Sequence, residues 1–454
     1  MTASTEDELI ERALRSARDT KQLAVRGGVR HETARVFAER FGEHFGGQTA
    51  IVVADQNTFN AAGRDVCRSF ESAGQKTELP FIFGPDVYAE ERCVDHLRAA
   101  LAKVNAIPVA VGSGTINDLT KLAVHQLKRP YMAVATAASM DGYTAYGASI
   151  TSKGSKQTFD CPAPLVVLAD LDVIATAPVG MNASGYADLL AKIAAGADWI
   201  LADALGIESI DSAVWDTVQR HLREWLSEPA AIHRGEPAAL RRLTNGLMMT
   251  GFAMQAHKTS RPASGAEHQF SHLWDMQHHT HEGHAPSHGF KVGIGTLASL
   301  ALYEELLSRD LSAIDIEQAV NQLLTLSQLN AQITKLFGEG ELADTAHRET
   351  AAKYIDAAAL RQQLQRLRQT WPDLHQKLEK QIIPAKVVKQ MLQDAAAAYE
   401  PEQIGISRDR LRQSYWQALF IRRRFTILDL AHRTGLLDDA LTNLFSSSGQ
   451  FSIV

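Results

Sequence analysis

Histidines are concentrated in one short stretch of this chain. Eight of the 17 histidines fall between residues 257 and 288. His268 and His272 are four residues apart, so a helix would carry both on one face. His288 follows a Pro-Ser break and precedes a glycine, where we expect the next helix to begin. Imidazoles from two consecutive helices can converge on one ion, and zinc, nickel and iron(II) all accept imidazole ligands.

A carboxylate could complete such a site, because catalytic divalent sites usually combine three protein ligands with an open position. Asp188 lies in the alanine-rich run GYADLLAKIAAGAD, where we expect it in the first turn of an apolar helix. A bare carboxylate facing a core is unfavourable, and a bound cation would offset that penalty. The alternative for Asp188 is a helix cap or a partner of the helix dipole.

The run HHTHEGH is a separate feature of the same stretch. We expect its four histidines to be solvated loop residues, and the alternative is a metal-storage tract. They are His278, His279, His281 and His284.

A glycine loop is the next chemical feature. An apolar strand over residues 107–111 leads into Gly112, Ser113 and Gly114 and then into a helix. Such a loop lets the backbone approach a pyrophosphate, whose charge is stabilised at a helix N-terminus. A tight strand-to-helix turn is the alternative, because the third glycine of the dinucleotide-binding fingerprint is missing. Asp55 ends an earlier strand, like the acidic residue that holds an adenine ribose, but an aspartate there is also common in ordinary turns.

Alternating helices and short apolar strands must position these groups. The apolar runs TAIVVAD, IPVAV, YMAVAT and LVVLADLDVI alternate with helical patterns in the first 180 residues. This predicts an α/β fold with a doubly wound, Rossmann-like parallel sheet. Beyond that point strand signals nearly vanish. The sequence therefore predicts a dinucleotide-binding domain over residues 1–180 and an all-α metal- and substrate-binding domain over residues 181–454.

Composition narrows the class of protein. The 454 residues carry a net charge of −6, which argues against nucleic acid as the main partner. Three sparse cysteines without a CxxC pair are typical of a reducing cytosol. The longest apolar runs are too short to span a membrane. We therefore expect a cytoplasmic protein that binds neither nucleic acid nor a membrane.

Six sequence blocks together resemble the glycerol-1-phosphate dehydrogenases, within the superfamily of iron-dependent-type alcohol dehydrogenases, glycerol dehydrogenase and dehydroquinate synthase. The blocks, in order over residues 50–296, are VVADQNTF, VAVGSGTINDLTK, ATAASMDGYTA, GMNASGYADLLAK, RPASGAEHQFSHLWDM and SHGFKVGIGT. The later run QALFIRRRFTILDLAHRTGLLDDAL is also similar to the family. The resemblance implies the dehydroquinate synthase-like fold.

The resemblance also implies roles for individual residues. It assigns Asp188, His268 and His288 to the metal, and His272 and Asp141 to the substrate and catalysis. It assigns cofactor contacts to Asp55 and two short segments, which are Gly114, Thr115, Ile116, Asn117 and Asp118, and Thr136, Ala137, Ala138 and Ser139. At Ala145 relatives usually have a serine, so one expected hydrogen bond to the cofactor is missing.

The activity implied is the interconversion of dihydroxyacetone phosphate and sn-glycerol 1-phosphate. It would use NAD or NADP and one divalent metal, with zinc expected first and nickel or iron as alternatives. A phosphorylated triose or polyol substrate needs cations, and Lys153, Lys156 and Lys291 are candidates. We also expect a homo-oligomer.

Three other functions stay open from the sequence. The first is a dehydrogenase of the same fold that acts on glycerol or another free polyol. The second is a dehydroquinate synthase-like lyase, and the third is a non-catalytic metal-storage protein.

Overall fold

A computed structural model describes residues 3–27, 30–152 and 155–452. The chain divides into two compact units. Unit 1 comprises Met1–Leu189, Ala213–Ser260 and Asp394–Ala396, and unit 2 comprises Leu190–Ser212, Arg261–Gln393 and Ala397–Val454. The assignment of separate roles to residues 1–180 and 181–454 stays a prediction.

A six-stranded parallel sheet lies in unit 1. Its order is β1-β8-β5-β4-β2-β3, and β6 and β7 form a separate antiparallel pair. The strands β1 to β8 are Gln22–Arg26, Thr49–Asp55, Phe81–Phe83, Ala106–Gly112, Met132–Ala135, Ala148–Ser152, Ser155–Phe159 and Val166–Asp170. The apolar runs form the central strands, and every residue of β4 is buried. This confirms the predicted parallel sheet.

Helices connect the strands and make up most of the described residues after β8. The helices α1 to α8 are Ala3–Ser16, Arg30–Phe45, Gln56–Thr58, Arg64–Ser72, Glu91–Leu101, Gly114–Gln126, Leu171–Thr176 and Val179–Leu190. The helices α9 to α23 are Lys192–Ala204, Ser212–Gln219, Leu222–Trp225, Pro229–His233, Pro237–His257, Ala266–Met276, His288–Leu307, Ile316–Asn321, Leu326–Phe337, Glu341–Lys353, Ala357–Gln381, Ala385–Asp394, Arg408–Phe420, Ile427–Arg433 and Leu437–Leu444. All eight strands of the described residues precede α7, so the predicted helical C-terminal part is confirmed.

The strand order places two of the predicted cofactor features side by side. Strand β2 pairs with β3 on one side and with β4 on the other, in register Val53 with Ala110. All three strands are parallel, so Asp55 and Gly112 end neighbouring strands at the same edge of the sheet. In open α/β sheets, ligands bind outside the carboxyl ends of strands where the order reverses.

Two local features differ from the sequence expectation. Only the first half of LVVLADLDVI is strand, because Asp170 caps α7 by accepting a hydrogen bond from the amide of Asp172. The pair of β6 and β7 has no counterpart among the predicted strands, since its residues are mostly polar and form no apolar run. Among the described residues, no helix is both long and apolar enough to cross a membrane.

Candidate functional site

Side chains of helix α8 form hydrogen bonds with the backbone of the segment that follows strand β5. The side-chain oxygen of Asn182 accepts from the amide of Ala138 at 3.0 Å. The hydroxyl of Ser184 donates to the carbonyl of Ser139 at 3.3 Å. A Cβ atom at Gly185 would overlap the carbonyl oxygen of Ala138. The sequence NASG therefore fits α8 tightly against a segment that the family resemblance assigns to the cofactor.

Asp188 continues this line of contacts. Its Oδ2 atom accepts a hydrogen bond from the amide of Asp141 at 3.1 Å, and its side chain is fully buried. The expectation that Asp188 occupies the first turn of a helix is wrong. Helix α8 begins at Val179, so Asp188 lies in its last turn, where a carboxylate is not favoured by the helix dipole.

The glycine loop leads directly into helix α6. A Cβ atom at Gly112 would lie 2.6 Å from Cβ of Ile116, so glycine is required for close packing of the strand and the helix. Ser113 makes no side-chain cap for α6. The first amides of a helix have no partner within it, so the backbone at Gly114 and Thr115 is available to an anion.

Other polar residues of α6 are engaged in holding the loop that carries Asp141. The side-chain amide of Asn117 donates to the carbonyl of Gly142 at 3.3 Å, and Asp118 accepts from the amide of Ser149 at 3.1 Å. Ile116 and Asn117 are buried. Their side chains are therefore parts of the scaffold, and contact with a ligand at this helix end would come from their backbone.

Lys121 is the residue of α6 that the sequence analysis missed. Its side chain is fully buried. Its ammonium donates to three backbone carbonyls at 2.9 to 3.0 Å, those of Gly142, Ala145 and Gly147. No local sequence pattern signals this role, because the acceptors are 21 to 26 residues away along the chain.

The remaining predicted cofactor residues lie at the same edge of the sheet. Asp55 accepts from the amide of Thr58 at 2.9 Å and caps the short helix α3. This fits the ordinary-turn alternative, and a role in ribose binding stays a prediction. Thr136, Ala137 and Ala138 follow β5 and are buried.

Three histidine rings cluster in unit 2. His268 and His272 share helix α14, and His288 is the first residue of α15, whose cap is Ser287. The ring centroid of His268 lies 6.1 Å from that of His272 and 5.3 Å from that of His288. On the same helix, Trp274 contacts the ring of Phe270.

A buried carboxyl group orients one of these rings. Oε1 of Glu267 lies 2.8 Å from Nδ1 of His268 and accepts from the amide of Gly265 at 2.7 Å. With Nδ1 facing the carboxyl group, Nε2 is the nitrogen that His268 can offer to an ion. Burial raises the pKa of Glu267 to about 8. Adjacent helix residues point in different directions, so no local pattern in the sequence indicates that these two side chains interact.

Burial lowers the pKa of His268 well below its usual range, and the positive charge of Lys192 acts in the same direction. The imidazole is therefore neutral at physiological pH, the form in which histidine binds metals.

The predicted metal ligands come together in the structure. One side-chain oxygen of Asp188 and one ring nitrogen each of His268 and His288 lie within 4.8 Å of one another. A carboxylate and two imidazoles suit zinc, iron(II) and nickel, so the donor set fits one divalent cation. Within the described ranges, these three residues are the one such group of metal-binding side chains.

The run HHTHEGH forms no such group. His279 lies 2.8 Å from Nη1 of Arg410 and 2.6 Å from the carbonyl oxygen of Ile404. His281 and His284 pair through their backbones. These contacts do not favour a storage tract.

Of the three lysines predicted to bind phosphate, the structure describes the side chain of Lys291 alone. Lys291 is buried and forms an ion pair with Asp275, so its charge is already balanced. Lys153 and the side chain of Lys156 lie outside the described residues.

The family model that matches this chain and two of its relatives are all described as dehydrogenases. A family model described as iron-containing alcohol dehydrogenase matches residues 28–178. The glycerol-1-phosphate dehydrogenase (NAD(P)+) of Bacillus velezensis is 32% identical over 299 residues, which cover 65% of this chain and 75% of that protein. The protein of the same name from Halalkalibacterium halodurans is 36% identical over 256 residues, which cover 56% of this chain. This chain thus spans slightly less than two thirds of that relative, at 64% of its length.

Solved structures show the same fold at low sequence identity. The crystal structure of glycerol dehydrogenase from Schizosaccharomyces pombe aligns with a TM-score of 0.58 and 17% identity, over 93% of this chain and 90% of that chain. A probable glycerol dehydrogenase from Sinorhizobium meliloti 1021 aligns with a TM-score of 0.59 and 14% identity, over 93% and 97% respectively.

Proposed function

The chain belongs to the glycerol-1-phosphate dehydrogenase family, and from this premise we propose that it interconverts dihydroxyacetone phosphate and sn-glycerol 1-phosphate. The reaction would be a metal-dependent hydride transfer linked to NAD or NADP. The observation that carries the proposal is the group of Asp188, His268 and His288, whose ligand atoms lie within 4.8 Å of one another. Three protein ligands around one cation, with one coordination position left open, are typical of a catalytic metal site rather than of a storage site.

The edge of the sheet at β2 and β4 is the proposed cofactor site. A bound nicotinamide dinucleotide would supply the hydride. The amides at the start of α6, from Gly114 to Asp118, would hold its pyrophosphate. Asp55 would accept hydrogen bonds from the ribose hydroxyls. The segment from Thr136 to Ser139, which packs along α8, would flank the nicotinamide half.

Asp188, His268 and His288 would hold one divalent cation, with zinc expected before nickel or iron. When bound, the cation supplies Lewis-acid polarisation of the substrate carbonyl. Glu267 fixes the ring of His268 through Nδ1. This pairing supports a ligand role, because metal-binding histidines usually donate their other N–H to a carboxyl or carbonyl oxygen.

Two further residues would act on the substrate. His272 lies one helical turn after His268, and its ring centroid is 6.5 Å from that of His288, so it is placed to donate a proton to the reduced oxygen. The carboxylate of Asp141 would accept hydrogen bonds from substrate hydroxyls. Its backbone is fixed by the hydrogen bond to Asp188.

A substrate comparison tests the proposal. The full-length protein is loaded with zinc, nickel or iron(II), and oxidation of NADH and NADPH is followed with dihydroxyacetone phosphate or dihydroxyacetone. We expect rapid turnover of the phosphorylated ketone in the presence of one metal. A preference for dihydroxyacetone would instead identify a free-polyol dehydrogenase. Binding of several loose ions without turnover would identify a storage protein.

The expectation of a cytoplasmic homo-oligomer stays a prediction, and light scattering of the purified protein tests the oligomeric state.

A further inference from the structure

The connector between helices α21 and α22, residues 421–426, is fixed beside helix α14. Nη1 of Arg424 donates to the carbonyl of Ser264 at 2.6 Å, just before α14 begins. The side-chain amide of Gln269 donates to the carbonyl of Arg424 at 3.3 Å. The hydroxyl of Thr426 donates to the carbonyl oxygen of the Gln269 side chain at 3.4 Å. The connector is therefore held against the turn of α14 that carries His268.

Three consecutive arginines in this connector have different surroundings. Arg423 is exposed and pairs with Glu349 at 2.8 Å. Arg424 is engaged with Ser264. Arg422 is half-buried, and it makes neither a hydrogen bond nor an ion pair with any residue in the described part of the chain. A guanidinium withdrawn from water without a partner is unfavourable, so its position calls for an anion.

Arg422 lies among charged groups of both signs: burial lowers its pKa, and the carboxyl groups of Glu349 and Glu267 act in the opposite direction. The charges of Arg422 and Lys192 both lower the pKa of the His268 imidazole. Lys192 is fully buried at the start of α9. Lys291, a candidate from the sequence, is paired with Asp275. Arg422 is therefore a cation near the histidine cluster that makes no direct hydrogen bond or ion pair within the described residues.

We propose that Arg422 binds the phosphate group of the substrate and so selects phosphorylated over free ketones. The guanidinium presents paired N–H donors that match phosphate oxygens in a two-pronged geometry. It also stays charged throughout the working pH range. This assignment rests on the proposed function, because it takes the phosphate to be part of the substrate reduced beside His268 and His272.

The test compares Arg422→Met with the matched control Arg423→Met, which removes a neighbouring charge that is exposed and already paired. Steady-state kinetics are measured with dihydroxyacetone phosphate and with dihydroxyacetone. Affinity for inorganic phosphate is measured by calorimetry on the metal-loaded protein, a readout that needs no turnover. Metal content and melting temperature are recorded for each variant.

For Arg422→Met we expect the KM for dihydroxyacetone phosphate to rise about 10- to 100-fold, the scale of one lost charge-assisted hydrogen-bonded contact. Phosphate affinity should fall by a similar factor, whereas kinetics with dihydroxyacetone and metal content should not change. Arg423→Met should behave as wild type. Arg422→Lys, which keeps the charge but not the two-pronged geometry, should be intermediate.

Two results would overturn the assignment. One is unchanged phosphate affinity and unchanged KM in Arg422→Met. The other is a loss of melting temperature with phosphate affinity intact in both Arg422→Met and Arg422→Lys, which would make Arg422 a packing residue. Failure of the proposed function looks different, because the wild-type protein would then not reduce dihydroxyacetone phosphate under any metal.

Discussion

The backbone amide of Asp141 donates a hydrogen bond to Oδ2 of Asp188 across 3.1 Å. One residue is the proposed substrate contact and the other a proposed metal ligand. This hydrogen bond joins the proposed substrate loop to the proposed metal ligand, so we expect a substitution at either residue to affect the position of the other.

The first prediction separates the charge of Asp188 from this hydrogen bond. Asp188→Asn keeps an oxygen that can accept from the Asp141 amide but removes the negative charge. Metal affinity should fall by more than the roughly 10- to 100-fold that follows loss of an outer partner, and activity should fall with it. Elemental analysis after chelator competition measures this. His281→Ala is the control, and full metal retention in Asp188→Asn, His268→Ala and His288→Ala would exclude the site.

The second prediction concerns the residues proposed to contact the substrate. Asp141→Asn and His272→Ala should each lower kcat/KM for dihydroxyacetone phosphate by about 10- to 1000-fold, the scale of one or two charge-assisted contacts. Metal content and melting temperature should stay near wild type. If stability drops and KM is unchanged, both residues are structural.

The third prediction concerns the cofactor. Asp55→Ser should narrow any preference for NADH over NADPH, because an acidic group repels a 2′-phosphate. Serine can still cap helix α3, so the fold should be unaffected. The ratio of kcat/KM for the two cofactors measures the effect. A wild-type protein that strongly prefers NADPH would refute the proposed role of Asp55.

The fourth prediction concerns the buried ammonium of Lys121. Lys121→Met removes the donor of three carbonyl hydrogen bonds and leaves those carbonyls buried, at a cost of roughly 3 kcal/mol or more. Chemical denaturation should show this loss of stability. Lys103→Met, at an exposed position of the same unit, is the control and should have little effect. Equal stability of the two variants would mean that water replaces the ammonium.

The fifth prediction is a pH dependence at His432 of helix α22, a residue that is not among the proposed metal ligands. Burial lowers the pKa of His432 from 6.5 to about 4. The unfolded chain therefore binds this proton more readily than the folded chain, and stability is lost as the pH falls through 6.5 towards 4. His432→Phe keeps a ring against Trp416, which His432 contacts edge-on at 5.6 Å, but removes the titration.

When the pH is lowered from about 7 to about 5, the free energy of unfolding of wild type should fall by up to about 2 kcal/mol more than that of His432→Phe. Denaturation midpoints at the two pH values measure the difference. If the denaturation midpoints of wild type and His432→Phe change equally with pH, His432 is protonated as readily in the folded state as in the unfolded state.

Features marked by local patterns were predictable from the sequence. The apolar runs gave β2, β4 and β5, and the Pro-Ser break before His288 placed the start of α15 correctly. The four-residue spacing placed His268 and His272 on one helix. These features depend on neighbours in the chain, which a sequence displays directly.

Features set by distant contacts were not predictable. Asp188 was placed in the wrong turn because Asn182 and Gly185 are poor helix formers, and only their fit against Ala138 shows why α8 tolerates them. Lys121 reads as an ordinary charged residue in the sequence, since its three carbonyl acceptors lie 21 to 26 residues away along the chain.

The strip of contacts between α8 and the segment after β5 has a thermodynamic consequence. The strip begins at the residues proposed to hold the dinucleotide and ends at a proposed metal ligand, so we expect each ligand to change the binding free energy of the other. Such coupling is reciprocal by necessity. Suppose that loading the metal changes the dinucleotide affinity by some factor. Binding of the dinucleotide must then change the metal affinity by the same factor. If the metal strengthens dinucleotide binding, a cell rich in the dinucleotide protects this protein's metal against competing chelators, and if it weakens that binding, the dinucleotide favours loss of the metal.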